Sequence, residues 1–230
     1  MAEPILQLRD VHKTYRQGVI EVHALRGLDL TLEPGEFTAL VGPSGSGKTT
    51  ALNMAGALDL PSKGAVLLEG TDISSLSARA LSQLRRDRIG FVFQAYNLIP
   101  VLTAFENAES VLALQGVSPA ERKQRVMALL KELGLEGMEH RRPDQLSGGQ
   151  QQRVAVARAI AASPAMVLAD EPTANLDSET AEMLLQQMET LNREQNITFL
   201  FSTHDARVMA HARRIVTLVD GKVAKDERKG

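Results

Sequence analysis

The sequence predicts one α/β domain with an inserted helical lobe. Short apolar runs of the strand type fill the first third of the chain and return after residue 164, whereas residues 96–162 contain helical segments separated by breakers. The two late runs, at 165–170 and 197–204, are almost wholly apolar, as is typical of parallel strands covered on both faces. A helix predicted at 178–195 lies between them and completes a βαβ unit.

Strands at 5–11 and 22–32 alternate apolar and polar residues, which predicts a sheet with one solvated face. Two further strands are predicted at 37–42 and 65–70, and a helix is predicted at 49–58. Three helices of the lobe are predicted at 103–115, 118–135 and 148–163. The second lobe helix begins with Ser118 and Pro119, an N-cap followed by a first-turn proline. Asp220-Gly221 lies between alternating runs and predicts a β-hairpin.

Composition excludes several classes of function. The 230 residues are 43% hydrophobic, enough for a core, and the net charge of −2 comes from 26 basic and 28 acidic residues that are mixed along the chain. This charge pattern gives no footprint for nucleic acid. The chain has no cysteine, which excludes disulfides, thiolate catalysis and Cys-ligated zinc. No signal peptide and no run of about 18 apolar residues is found, so we expect a soluble, cytoplasmic chain.

A glycine-rich loop predicts a nucleotide site. GPSGSGKTT matches G-x-x-x-x-G-K-[ST] and stands between a predicted strand and a predicted helix, the context that this motif requires. Its glycines allow backbone N–H groups to surround phosphate oxygens at a helix N-terminus. We expect Lys48 to reach the β- and γ-phosphates and the Thr49 hydroxyl to ligate Mg²⁺. The predicted binding residues are Gly42, Pro43, Ser44, Gly45, Ser46, Gly47, Lys48, Thr49 and Thr50.

Two acids end a neighbouring strand. Asp170 closes the run MVLAD at the carboxyl edge of the sheet, where it can hold Mg²⁺ through water. A second carboxylate beside Asp170 costs like-charge repulsion, and this cost favours a functional role for it. Glu171 is therefore the candidate for polarising the attacking water.

LSGGQ, at 146–150, is a second candidate anion site. Ser147, Gly148 and Gly149 come directly before an amphipathic helix that starts at Gln150, so this loop also offers N–H groups at a helix N-terminus. The same residues also suit an ordinary N-cap. Either one chain closes both loops over a single nucleotide, or two copies pair head to tail and complete each other's sites.

Taken in order, these motifs resemble those of the nucleotide-binding subunit of ATP-binding cassette (ABC) transporters. The chain also carries FVFQAYN around Gln94, ANLDS at 174–178 and STHD at 202–205, so the resemblance covers nearly its whole length. It implies a homodimer or pseudo-dimer that sandwiches two ATP molecules, with LSGGQ of one copy facing the phosphate loop of the other. This favours the head-to-tail arrangement.

The resemblance also implies an organisation and roles for single residues. The fold would be a P-loop NTPase core with a mainly parallel sheet and an N-terminal antiparallel β subdomain, at about 1–94 and 163–230, and a helical subdomain at about 95–162. Tyr15 would stack on adenine, and Gln94 would ligate Mg²⁺ and sense the γ-phosphate. Asp177 would communicate between the two sites, and His204 would contact the γ-phosphate.

Family resemblance further implies a membrane partner. The apolar segment after Gln94 corresponds to the groove that receives a permease helix, with Tyr96, Leu98, Ile99, Pro100 and Leu102 as candidates. The sequence of this region is similar to that of the lipoprotein-releasing and macrolide-exporting subfamily. The chain would then lie on the cytoplasmic side of the membrane, held by a separate permease. A soluble cassette that assembles scaffolds is the alternative, and co-purification with a permease distinguishes the two.

Overall fold

The computed structural model describes residues 3–18 and 20–229. One sheet in this part of the chain is antiparallel and consists of β1 (Leu6–Gln17), β2 (Ile20–Leu32), β4 (Lys63–Leu68) and β5 (Thr71–Asp72), in the order β2-β1-β4-β5. Alternate side chains of β2 are buried from Leu28 onward, which confirms the predicted sheet with one solvated face.

The second sheet contains six strands and is mainly parallel. They are β3 (Phe37–Val41), β6 (Ile89–Val92), β7 (Met166–Asp170), β8 (Thr198–Ser202), β9 (Arg214–Val219) and β10 (Lys222–Arg228), in the order β10-β9-β3-β8-β7-β6. Only β10 pairs in the antiparallel sense, through the predicted hairpin at Asp220-Gly221. The order places β7 next to β8 and β8 next to β3, so their carboxyl ends lie along one edge.

Seven α-helices occur in the described residues. They are α1 (Lys48–Ala55), α2 (Ala78–Arg88), α3 (Ala104–Leu114), α4 (Pro119–Glu132), α5 (Gly148–Ile160), α6 (Ser178–Gln195) and α7 (Ala206–His211). Helices α3, α4 and α5 follow one another without an intervening strand. The predicted α/β architecture, with both sheets and the inserted helices, is therefore confirmed.

The structure corrects several boundaries. Helix α1 ends at Ala55 rather than at residue 58, because Gly56 caps it and Ala57 takes a left-handed conformation with φ of 50°. Strand β1 continues to Gln17 through a polar stretch that pairs with the start of β2. Helices α2 and α7 were not predicted. None of the 11 residues of α2 is fully buried, and only Leu81 and Leu84 pack against the core, so the apolar face of this helix is too narrow to be distinctive in the sequence.

The core lies on both faces of the parallel sheet. Phe199 and Phe201 of β8 pack with Phe37 and the inserted helices, with centroid distances to the Phe37 ring of 5.4 and 4.6 Å. Leu200, which points to the opposite face, packs with α1 and the antiparallel sheet. The predicted cover on both faces of this strand is confirmed.

Helix α5 packs closely against β6 at Gly90. A Cβ atom built on Gly90 would lie 2.4 Å from the carbonyl oxygen of Ala159 in α5. Only glycine allows this separation, since real Cβ contacts of that length do not occur. The contact fixes α5 directly beside the strand that leads to Gln94.

We expect Gly90→Ala to lower the free energy of unfolding by about 1–3 kcal/mol, because the added methyl group must push α5 away from β6. Urea denaturation measures this change. Gly116→Ala is the matched control: its φ of 77° is strained for alanine, but no atom lies within 4 Å of the new Cβ. The loss in Gly116→Ala measures backbone strain without crowding, whereas an unchanged free energy of unfolding in Gly90→Ala would contradict the tight contact.

Candidate active site

A cavity of about 690 Å³ opens at the carboxyl ends of β3, β7 and β8. The loop between β3 and α1 forms one wall. Polar residues from the ends of β6, β7 and β8 form another, and three residues near the start of β2 close a third side. The lining residues are Gly42, Pro43, Ser44, Gly45, Gly47, Lys48, Thr49, Thr50, Gln94, Asp170, Glu171, Ser202, His204, Val22, His23 and Ala24.

The structure therefore brings together most of the sequence-predicted site. Eight of the nine residues of the phosphate loop line this cavity, together with both strand-end acids, Gln94 and His204. Ser202 and the three residues of β2 were missed. No local sequence signal points to β2, because it reaches the cavity through the packing of one sheet on the other.

The loop backbone is shaped for an anion. Gly42, Gly45 and Gly47 all have positive φ, and a Cβ on Gly42 would lie 2.1 Å from the carbonyl oxygen of Leu218. Helix α1 has neither a side-chain cap nor an acidic residue in its first turn. Its N-terminal amides, which belong to residues of the cavity lining, therefore have no side-chain partner, as phosphate binding requires.

Lys48 and Ser46 complete the loop. The Lys48 ammonium donates hydrogen bonds to the carbonyl oxygens of Gly42 and Pro43, at 2.8 and 3.1 Å. Ser46 does not line the cavity. Its buried hydroxyl has no hydrogen-bond partner among the described residues, so this group stays available for one. The glycine-rich backbone and the Lys48 ammonium, which line the cavity, therefore fit the phosphates of a nucleotide, whereas the predicted contact from the Ser46 side chain is not formed in this structure because that side chain is buried outside the lining.

Glu171 is held by two neighbours. Its Oε1 lies 2.7 Å from Nδ1 of His204, and its Oε2 accepts a hydrogen bond of 3.2 Å from the hydroxyl of Thr203. The backbone of Glu171 has φ of 46°, a conformation that is unfavourable for a residue with a side chain. Its N–H donates to the carbonyl oxygen of Ser202 on β8. The surrounding structure therefore fixes this carboxylate at the mouth of the cavity.

LSGGQ lies elsewhere. Ser147 is the N-cap of α5 and forms a capping box with Gln150: its hydroxyl accepts from the Gln150 amide at 3.3 Å, and the Gln150 side chain accepts from the Ser147 amide at 2.9 Å. Neither these two residues nor Gly148 and Gly149 line the cavity. The capping box leaves the amides of Gly148 and Gly149 at the N-terminus, where no intrahelical acceptor exists.

Asp177 caps the neighbouring helix. Its two carboxylate oxygens accept hydrogen bonds from the amide and the hydroxyl of Thr180, at 2.9 and 2.6 Å, and these bonds lower the pKa of Asp177. A Cβ on Gly149 would lie 2.2 Å from Cγ2 of Thr180, so the N-termini of α5 and α6 are in close contact. Asp177 itself does not line the cavity.

Tyr15 lies outside the cavity lining, with 37% of its surface exposed. Its hydroxyl donates to Asp59 at 3.1 Å, and the ammonium of Lys13 lies 5.0 Å from the ring centroid. Burial raises the pKa of Tyr15. Stacking on adenine stays a prediction for this residue.

A second, apolar groove of about 380 Å³ runs between α2, β6 and the inserted helices. None of Tyr96, Leu98, Ile99, Pro100 and Leu102 lines it, although Asn97 does. Leu98 packs against the core and Ile99 is 44% exposed. The predicted segment therefore lies beside the groove rather than in it. Phe91, Phe93, Val111 and Leu114 supply apolar lining instead.

No helix in the described part of the chain combines the length and the apolar content needed to cross a membrane.

Comparison with known proteins gives consistent matches. The family model described as ABC transporter matches residues 25–174. The lipoprotein-releasing system ATP-binding protein LolD of Anaeromyxobacter dehalogenans is 46% identical over 98% of this chain and 95% of that protein. The macrolide export ATP-binding/permease protein MacB 2 of Aeromonas hydrophila is 47% identical over 98% of this chain, which spans only 35% of that protein.

Among solved structures, the chain is similar to the ATP-binding cassette MJ0796 of Methanocaldococcus jannaschii in a dimeric, post-hydrolysis state bound to ADP and Pi. The identity is 44% and the TM-score is 0.91, with 98% of this chain and 99% of that chain covered.

Proposed function

Because the chain belongs to the ABC transporter family, we propose that it is the ATP-hydrolysing subunit of a transporter and drives a separate membrane permease. One observation carries the proposal: the phosphate loop, Asp170, Glu171, Gln94 and His204 meet in a single cavity. A glycine-rich turn alone would not bring a fixed carboxylate and a histidine to the same opening.

In this function Lys48 binds the β- and γ-phosphates, and the amides at the start of α1 bind phosphate oxygens. Glu171 orients the attacking water in line with the γ-phosphorus and accepts its proton. His204, bonded to Glu171, contacts the γ-phosphate. Tyr15 contributes the adenine contact from outside the cavity lining.

Thr49, Gln94 and Asp170 are proposed to hold Mg²⁺. All three line the cavity, and a hydroxyl, an amide oxygen and one carboxylate are the oxygen ligands that Mg²⁺ takes together with substrate phosphates. When bound, the ion neutralises charge that develops on the phosphates.

The nucleotide site is proposed to be composite. The N-terminus of α5 does not reach the cavity of its own chain, and MJ0796 with ADP and Pi is dimeric. Ser147, Gly148, Gly149 and Gln150 of a second copy would then complete the site, with Asp177 beside them. We also propose a single ABC ATPase domain, with its core at about 1–94 and 163–230 and its helical subdomain at about 95–162.

Complementation between two inactive variants tests the composite site. Lys48→Ala disables the phosphate loop, and Ser147→Asp keeps an N-cap residue but places negative charge at the phosphate position. An equal mixture is expected to recover up to about a quarter of the unmodified activity, because half of the dimers are mixed and each has one intact site. Phosphate release after refolding or exchange of the mixed chains measures the recovery.

Ser118→Asp is the matched control, since it makes the same substitution at the exposed N-cap of α4, away from the proposed site, and is expected to retain activity. A mixture that stays as inactive as either variant alone would contradict the shared site and favour closure within one chain.

The permease partner is proposed on two grounds. LolD, which this chain nearly matches in length, is named as part of a lipoprotein-releasing system, and MacB 2 as an ATP-binding/permease protein. The apolar groove beside Asn97 offers the docking surface, and its occupant would hold the chain at the cytoplasmic face of the membrane. Co-purification with a permease in detergent supports this assignment, whereas a stable complex with soluble proteins alone would favour the scaffold-assembly alternative.

A further inference from the structure

Arg158 of α5 connects two parts of the molecule that the proposed function keeps separate. Its guanidinium donates hydrogen bonds to two successive carbonyl oxygens, those of Tyr96, at 2.9 Å, and Asn97. Both residues take left-handed conformations, with φ of 60° and 49°. These conformations are unfavourable for residues with side chains, so the turn needs external support.

Residues 94–97 are here named the Gln94 turn. Each of their four carbonyl oxygens accepts a hydrogen bond. The Gln94 carbonyl accepts from the side chain of Asn175 at 2.9 Å, and the Ala95 carbonyl accepts from the Asn97 amide at 2.6 Å. Arg158 supplies the other two. The turn is thus fixed at one end by the loop before α6 and at the other by the last turn of α5.

Arg158 is positioned to do this and little else. In the part of the chain that the structure describes, no carboxylate is paired with it, and burial lowers the pKa of its guanidinium. A half-buried cation without an ion pair is costly unless its N–H groups are bonded. The planar fork of arginine matches two adjacent acceptors, which a lysine ammonium cannot reproduce.

The same side chain lines the apolar groove together with Phe93 and Asn97. The side chain of Gln94 lines the nucleotide cavity instead. A partner in the groove therefore contacts residues on both sides of the bonds that fix the Gln94 turn.

We infer that Arg158 is a positioning residue that holds Gln94 in the nucleotide cavity by clamping the Gln94 turn. This inference rests on the proposed function of the nucleotide site. It predicts that Arg158 acts through Gln94 rather than through the stability of α5.

A double-mutant cycle tests the inference. Arg158→Lys is expected to lower kcat about tenfold and to raise the Mg²⁺ concentration for half-maximal activity about tenfold, as loss of a group that orients a metal ligand does. In a Gln94→Ala background the same substitution is expected to cause no further loss. Arg125→Lys, at an exposed position of α4 paired with Glu121, is the control and should match the unmodified protein.

Hydrogen exchange in the nucleotide-free protein gives a readout independent of activity. The amides of Tyr96 and Asn97 are bonded to the carbonyls of Phe93 and Ala95, so they report whether the turn persists. Arg158→Lys is expected to speed exchange at residues 93–99 at least several-fold while α5 exchanges as before.

Additive losses in the cycle, or unchanged exchange at 93–99, would overturn the positioning role and leave the ATPase function intact. Full activity of Gln94→Ala would overturn the role of Gln94 and of Arg158 together. Absence of hydrolysis by the unmodified chain would count against the proposed function itself, and the exchange measurement, which needs no nucleotide, would still decide whether Arg158 holds the turn.

Discussion

Glu171→Gln is expected to lower the rate of ATP hydrolysis by about 10²–10⁴-fold while leaving ATP binding nearly unchanged. The carboxylate lies at the mouth of the cavity and is the group placed to accept a proton from water. Glutamine has the same shape but cannot accept that proton at neutral pH. Single-turnover phosphate release measures the rate, and calorimetry with ATP measures the binding.

The substitution is also expected to accumulate an ATP-bound dimer. The γ-phosphate adds charge that the N–H groups of both copies bind, so closure is expected to persist until hydrolysis and the release of phosphate remove that bridge. Size-exclusion chromatography with light scattering, with ATP and then with ADP, distinguishes the two states. We expect a dimer with ATP and a monomer with ADP.

Glu171→Gln should fold normally, because the side-chain contacts tolerate the change. His204 offers either a donor or an acceptor to the new amide, depending on its tautomer, and the Thr203 hydroxyl can rotate. Glu136→Gln, at an exposed site paired with Lys131, is the control for loss of a carboxylate. Normal turnover by Glu171→Gln would show that another group activates the water.

Much of this site could be predicted because it depends on local rules. The phosphate loop has a fixed spacing between strand and helix. Asp170 ends β7 and pairs with Ser202, which ends the neighbouring strand β8. Carboxyl ends of adjacent parallel strands meet at one edge, so sequence alone indicates that these ends lie together. The exact match of the predicted and observed helix over Ser178–Gln195 has the same origin, an N-cap at Asp177 and a regular apolar period.

Other parts depend on packing between elements that are distant in sequence. Ala24 of β2 closes on the loop so tightly that a Cβ on Gly47 would lie 2.5 Å from its carbonyl oxygen, yet nothing within β2 signals this contact. The clamp from Arg158 to Tyr96 and Asn97 spans 61 to 62 residues and joins a helix to backbone carbonyls. Every residue has a backbone carbonyl, so the residue types at 96 and 97 do not indicate that this contact forms.

LSGGQ shows both limits in one motif. The sequence offered an anion site and an N-cap as alternatives, and in the structure the capping box of Ser147 and Gln150 is formed. That geometry also leaves the amides of Gly148 and Gly149 free of intrahelical acceptors. A capped helix and an anion site are therefore compatible, and whether the free amides bind an anion depends on a second copy, which one sequence cannot place.

Lys48→Ala is expected to weaken ATP binding by about 2–4 kcal/mol, on the order of 100-fold, the usual result of removing one partner of a charge-assisted contact. The loss has two sources. The ammonium no longer meets the β- and γ-phosphates, and the loop loses the bonds from Lys48 to the carbonyl oxygens of Gly42 and Pro43. Calorimetry with ATP and with ADP measures it.

The two nucleotides separate these sources. Contact with the γ-phosphate is lost only for ATP, whereas a looser loop weakens both ligands alike, so the ratio of ATP to ADP affinity should fall in Lys48→Ala. Lys131→Ala, exposed on α4, removes the same charge away from the cavity and should bind both nucleotides normally. Unchanged ATP affinity in Lys48→Ala would refute the phosphate-loop assignment, because no other lysine lines this cavity within the described residues.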